Sequence, residues 1–266
     1  MVREKKKLTK EEEVEREVSE EVEEKEEETL KEVAKEPSLI ERWQPKTALG
    51  MKVKNGEIKN IDEIIDKGLR IYEPEIADAL LPDLTTDFIL IGQAKGKFGG
   101  GQRRLFKQTQ KKTKEGNKPK FSAMAVVGDG NGHVGIGLGK SKETLPAREK
   151  AIRRAKQNLI KIRRGCGSWE CACKELHSIP FVVEGKSGSV IIRLIPAPKG
   201  TGLCVEKECQ KILKAAGIKD VFSKTFGQTR TKINLALACF DALKKLIMVK
   251  VKPKAVEKLG IIEGSK

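Results

Sequence analysis

The sequence predicts an α+β protein of two small domains, preceded by an acidic arm and joined by a cysteine-rich connector. Three observations carry this expectation. Period-two apolar alternation in FSAMAVVG and HVGIGLGK is split by the turn GDGN, which reads as a β-hairpin. Two segments, ETLPAREKAIRRAKQNLIKI and TKINLALACFDALKKL, place apolar residues at helical spacing. The chain has 266 residues, 38% of them hydrophobic, enough for about two small domains with cores of their own.

Charge narrows the class of partner. Charged residues make up 35% of the chain, aromatics only 4%, and the net charge is +16. Residues 1–36 hold nine Lys/Arg against fifteen Glu, a net of −6, so the remaining chain carries +22. The acidic arm has too few apolar residues to offset its ordering entropy and is expected to be a solvated, disordered tail. A body this basic points to a polyanion. No run approaches the roughly 18 apolar residues of a membrane span, and no apolar leader suggests secretion. Three of the six cysteines crowd together at Cys166, Cys171 and Cys173, which suits a reducing, cytoplasmic setting better than a disulfide framework.

Residues 37–81 read as a lead-in, with Ile58, Ile61, Ile64 and Ile65 at helical spacing. The first domain spans 82–162. It opens with the strand DFILIGQA and continues into residues 95–120, where ten basic residues face one acid, Glu115. That stretch reads as a long flexible loop that needs an external partner to condense it. The hairpin follows. In its second strand Val134, Ile136 and Leu138 point one way and Gly135, Gly137 and Gly139 the other. A face of bare glycines admits another backbone, either the following helix or a nucleic acid. The helix is expected over 143–162, with Ala147, Ala151, Ala155, Leu159 and Ile162 as its apolar stripe and Pro146 in its first turn. Residues 163–177 form the connector. The second domain, 178–250, reads as two strands across a glycine turn, a helix ending at Gly217, a third strand and a final helix. A basic tail, 251–266, ends the chain.

Gly130, Gly132 and Gly135 satisfy G-x-G-x-x-G, but a dinucleotide site needs a helix to open after the glycines, and here another strand follows. Gly139-Lys140-Ser141 imitates the end of a P-loop without the glycine required at position 134. His133 and His177 are the two histidines. No nucleophile, base and orienter can be assembled around them, so no enzyme is expected. His133 reads as a turn residue or a phosphate neighbour. In the connector, Cys166, Cys171, Cys173 and His177 have the spacing C-x4-C-x-C-x3-H. Four such ligands suit tetrahedral zinc bracing a short linker. The alternative leaves the cysteines as small packing residues near RNA, with His177 stacking or hydrogen bonding. Trp169 is expected to pack on the connector, and Cys204, Cys209 and Cys239 to be buried.

The segment AVVGDGNGHVGIGLGKSKET followed by AREKAIRRAKQNLI resembles the signature of the universal small-subunit ribosomal protein five family. LIPAPKGTGL with KILKAAGIKDVFSKTFGQTRTKINLALACFDAL resembles that family's C-terminal domain. The resemblance covers roughly residues 82–250, and WQPKTALGMKVKNGEI and GCGSWECAC look like its archaeal branch. It implies a double-stranded-RNA-binding-like first domain and an α/β second domain of two layers. It also implies a structural role in the small ribosomal subunit, near the decoding region and the channel through which mRNA enters, beside small-subunit proteins four and eight, with an influence on translational accuracy. Residues that would then meet rRNA are Lys95, Lys97, Arg103, Arg104, Lys107, Lys111, Lys112, Lys140, Arg148, Arg153 and Arg154. The acidic arm and the 95–120 stretch depart from the family's common pattern.

Overall fold

A computed structural model describes residues 43–96, 101–171 and 173–264. The arm at 1–36 and Lys97 lie outside the described residues. The lead-in forms three short helices, α1 (Ala48–Lys54), α2 (Ile61–Asp66) and α3 (Glu75–Leu80). Thr47 caps α1 by accepting the Gly50 N–H at 3.0 Å. The isoleucines of α2 bury Ile61 and Ile64 on one side, as their spacing requires.

The first sheet is antiparallel, built on β1 (Thr85–Ile89), β2 (Lys107–Thr113), β3 (Gly116–Gly128), β4 (His133–Ser141) and β5 (Leu159–Lys161). Its order is β1-β3-β4-β5, and β2 pairs with the first half of β3. Here the structure differs from the sequence expectation: residues 107–122 are a β-hairpin, not a flexible loop. Both faces of its β2 strand lie in solvent, so no apolar alternation marks it. Its turn is instead set by Gly116, at a φ of 118°, and by the Thr113 hydroxyl donating to the Gly116 carbonyl at 2.8 Å.

Helix α4 (Thr144–Gln157) lies across β3 and β4. Ala147, Ala151 and Ala155, one turn apart and fully buried, meet Gly139, Gly137 and Gly135 in that order. A Cβ on any of the three glycines would collide with the helix backbone. The glycine face is therefore closed by the helix and offers nothing to RNA. The helix also ends earlier than expected. Asn158 breaks it, donating its side-chain amide to the Ile136 carbonyl at 3.1 Å, and residues 159–161 turn back as β5 along β4. Leu159 and Ile162 are buried as expected, from extended chain rather than helix.

The second sheet runs β7-β8-β10-β9, from β7 (Val183–Ser187), β8 (Val190–Pro196), β9 (Leu203–Cys204) and β10 (Val221–Phe226). Helices α5 (Lys207–Ala215) and α6 (Lys232–Met248) accompany it. α6 repeats the close approach of α4, with Gly185 of β7 against the backbone of Ala238 and Ala242. The chain is thus α+β, and one apolar cluster joins its two halves. Met124, Val126 and Ile136 from the first sheet share this cluster with Leu194 of β8, Leu213 of α5 and Leu243 of α6. Each such side chain contributes about 1.5–3 kcal/mol on burial.

The segment read as a basic tail carries α7 (Pro253–Leu259) and β11 (Ile262–Glu263), and β11 pairs with β6 (Arg163–Arg164) of the connector. Arg164 donates to the carbonyls of Asn131 at 2.7 Å and Gly264 at 3.3 Å, tying turn, connector and tail together. Two expectations fail nearby. Trp169 is 91% exposed, because the connector turns its cysteines and His177 inward and leaves the indole outside. Cys204 is exposed on the two-residue edge strand β9, whereas Cys209 and Cys239 are buried between α5 and α6.

Candidate nucleic-acid interface and metal centre

The register of the β2–β3 hairpin decides where its charges point. Lys107 faces Ser122, Thr109 faces Lys120, and Lys111 faces Lys118. Because side chains alternate across a strand, all of these share one face. Lys140 of β4 lies opposite Ser122 and extends the same row. Lys107, Lys111, Lys118, Lys120 and Lys140 therefore project from one side of the sheet, the side away from α4, and all are exposed. Lys118 pairs with Glu115 at 2.8 Å; Lys107, Lys111, Lys120 and Lys140 have no acidic partner among the described residues. Lys111 stands directly across from Lys118, an arrangement that costs stability in an isolated hairpin. At the edge of the row, Lys120 and Lys140 join Lys142, Lys150 and one acid, Glu143, around a groove of about 470 Å³.

The other basic residues expected at an interface divide differently. Lys112 sits on the opposite hairpin face, with Gln108 and Gln110. Arg103 is half-buried and spends its guanidinium on the carbonyls of Gly92, at 3.4 Å, and Arg230, at 3.3 Å, so it holds the chain before β2 against the start of α6. Arg148 stacks over Phe88 and Phe106, 5.5 and 5.2 Å from the ring centres. Arg153 and Arg154 are exposed on α4, and Arg154 reaches back to donate to the Leu138 carbonyl of β4 at 2.7 Å. Lys95 and Arg104 are exposed beside the Ala94–Arg103 bridge. The structure thus gathers Lys107, Lys111 and Lys140 on one face and sets the α4 arginines across the sheet. Sequence reasoning passed over Lys118 and Lys120 as site residues. The parity of their positions against Lys107 and Lys111 was the available signal, once the stretch is read as a hairpin.

His133 is no phosphate neighbour. Its ring is fully buried, with Nδ1 2.6 Å from Asp129 and Nε2 3.0 Å from Asp62 on α2. Asp129 Oδ1 also accepts the N–H groups of Asn131 at 2.7 Å and His133 at 3.0 Å, so the turn's amides are taken up within the protein. The His133 ring has no nitrogen left for a phosphate.

The connector brings together Cys166, Cys171, Cys173 and His177, whose ligand atoms all lie within 4.8 Å of one another. Cys166 and His177 are buried and the other two half-buried. Burial pushes the Cys166 thiol up to about 11, whereas the Lys199 backbone N–H, with the Cys173 thiol and N–H, draws Cys171 down to about 6. The cluster can hold a metal ion. His177 Nδ1 lies 2.9 Å from Asp220 Oδ2, leaving Nε2 on the cysteine side, 3.9 Å from Cys171 Sγ. The separation of 43 positions between His177 and Asp220 puts this pairing beyond reading from spacing.

Residues 105–163 match the family model described as ribosomal protein S5, N-terminal domain, and residues 185–255 match ribosomal protein S5, C-terminal domain. The chain is 55% identical over 226 residues to the small ribosomal subunit protein uS5 of Nanoarchaeum equitans, covering 85% of this chain and 97% of that one. It is 48% identical over 225 residues to the protein of the same name from Methanocaldococcus jannaschii, again 85% and 97%. With that of Methanosphaera stadtmanae it shares 49% over 224 residues, 84% of this chain and 92% of the other.

Proposed function

Since the chain belongs to the ribosomal protein S5 family, we propose that it is a structural, non-enzymatic constituent of the small ribosomal subunit that docks on rRNA through the lysine face of the β2–β3 hairpin. One observation carries the reading: Lys111 and Lys118 oppose each other, with Lys107, Lys120 and Lys140 exposed on the same side. Packed like charges repel in the free protein and are relieved when phosphates insert between them. RNA helices present phosphates and 2′-OH groups rather than readable base edges, so this face reads the shape of a folded rRNA and not its sequence. Arg153 and Arg154 on α4, and Lys95 and Arg104 before the hairpin, serve as further phosphate contacts on other sides. In this reading residues 82–162 act as the double-stranded-RNA-binding-like domain and 178–250 as the second domain. Its place lies near the decoding region and the path by which mRNA enters, beside small-subunit proteins four and eight. The cysteine cluster is a closed structural Zn²⁺ site, for which three thiolates and one imidazole are the fitting donor set.

Replacing Lys107, Lys111, Lys118 and Lys120 by Ala tests the docking face. Each lost phosphate contact should flatten the dependence of log affinity on log salt by about 0.7–0.9 units. The folded variant should also leave the small-subunit fraction on a sucrose gradient, where the wild type sediments near stoichiometry. A salt slope and sedimentation identical to wild type would refute the assignment.

A further inference from the structure

Three of the four candidate ligands come from the connector's own turn, but the fourth, His177, is held from the second sheet. Its Nδ1 lies 2.9 Å from Asp220 Oδ2, and both side chains are buried. A carboxylate only accepts, so Nδ1 carries the proton and Nε2 keeps its lone pair. Asp220 is itself fixed on every side. Its Oδ1 accepts the Gly202 N–H at 2.8 Å, its N–H donates to the His177 carbonyl at 3.0 Å, and its carbonyl accepts the Ser178 hydroxyl at 2.6 Å. Val221, the first residue of β10, follows at once. The free Nε2 lies 3.9 Å from Cys171 Sγ, and a tetrahedral Zn²⁺ with ordinary Zn–S and Zn–N lengths sets sulfur and nitrogen about 3.6 Å apart.

We infer that Asp220 is the positioning residue of the metal centre: it locks the His177 ring with Nε2 toward the three sulfurs and so makes metal binding fasten the connector to the β10 end of the second sheet. The inference rests on the zinc reading above and goes beyond it in assigning the ligand atom and the residue that selects it. The same link reaches the C-terminal segment, because the Cys166 N–H donates to the Leu259 carbonyl at 2.9 Å. Carboxylates that orient metal-bound imidazoles typically contribute 10–100-fold in metal affinity.

The test uses the full chain, stripped and reloaded with Zn²⁺ alone, with affinity measured by competition against a chromophoric chelator. Asp220→Asn should bind Zn²⁺ 10–100-fold more weakly and shift the visible bands of the Co²⁺-loaded protein, the second a readout that a purely structural role would leave unmoved. Equal affinity and an unchanged spectrum would overturn the role of Asp220 while leaving the zinc site standing. A wild-type chain that takes up no Zn²⁺ would overturn both. Should Asp220→Asn fail to fold, ring ¹⁵N shifts of His177 in the Zn²⁺-loaded wild type decide instead. Metal on Nε2 with a protonated Nδ1 is expected, and metal on Nδ1 would overturn the assignment.

Discussion

The buried ring of His133 lies between two carboxylates, and its titration follows from that position. Burial by itself disfavours the charged ring, but the hydrogen bonds and charges of Asp129 and Asp62 outweigh it and raise the pKa above the ordinary imidazole value. Asp129 is affected in the opposite sense. Burial would raise its pKa, yet His133 and the Asn131 N–H bring it below the usual carboxylate range. The Arg164 guanidinium, whose pKa burial lowers, also feels Asp129 and stays charged throughout. A ring that holds its proton more tightly when folded adds stability below its unfolded pKa of about 6.5 and loses it as pH rises through the higher folded value. The Asp129 contribution is present above the carboxylate range and is lost as pH falls through its lowered value. The urea midpoint of the wild type should therefore decline as pH rises above about 6.5, and His133→Gln should flatten that decline. A wild-type profile already flat from pH 5 to 9 would contradict the bridge. None of this was legible from the turn motif, because Asp62 stands 71 residues away and its approach depends on where α2 docks.

At the level of elements, the fit of α4 on β4 was legible in kind: alternate glycines on a strand followed by alanines at four-residue spacing. The sequence left open whether helix or nucleic acid filled the glycine face, and the backbone contact of Gly137 with Ala151 and Ala155 closes that question. Gly137→Ala should cost about 3 kcal/mol, the upper end for overpacking, since the obstacle is main chain that cannot rotate away. Chemical denaturation would measure it, and a loss under about 0.5 kcal/mol, the range of an ordinary surface substitution, would show that the helix can step aside. The hairpin was harder to see. A strand with both faces in water has no hydrophobic period, so KQTQKKT reads as a loop until its pairing with β3 is known. The same blindness hid the sidedness of its lysines. The end of α4 misled for another reason: Leu159 and Ile162 continue the helical stripe by accident while being buried as part of β5 and its exit.

For the whole molecule, the second domain's order of strands and helices was readable, apart from the two-residue β9, because glycine turns and helical stripes alternate clearly there. The return of the C-terminal segment was not. A short helix and a two-residue strand leave little periodicity, and β11 finds β6 a hundred residues back. Removing residues 250–266 should cost about 2–4 kcal/mol, because Arg163 and Arg164 would lose the partners Glu263 and Gly264 while still half or fully buried. A thermal melt of the truncated chain unchanged from wild type would rule this out. One further consequence follows from β3, a single unbroken strand from Gly116 at the hairpin tip to Gly128 beside α5. Its outer half has only β2 as neighbour, and an isolated two-stranded ribbon is marginal in water. The hairpin thus borrows its rigidity from the inner half of β3, and a partner that grips the tip pulls on the backbone of Ala123, Ala125 and Val127 directly. Anchoring the hairpin should quiet amide exchange along the buried span, which begins more than twenty ångströms from the tip at Gly116, counting about 3.4 Å per residue along the strand.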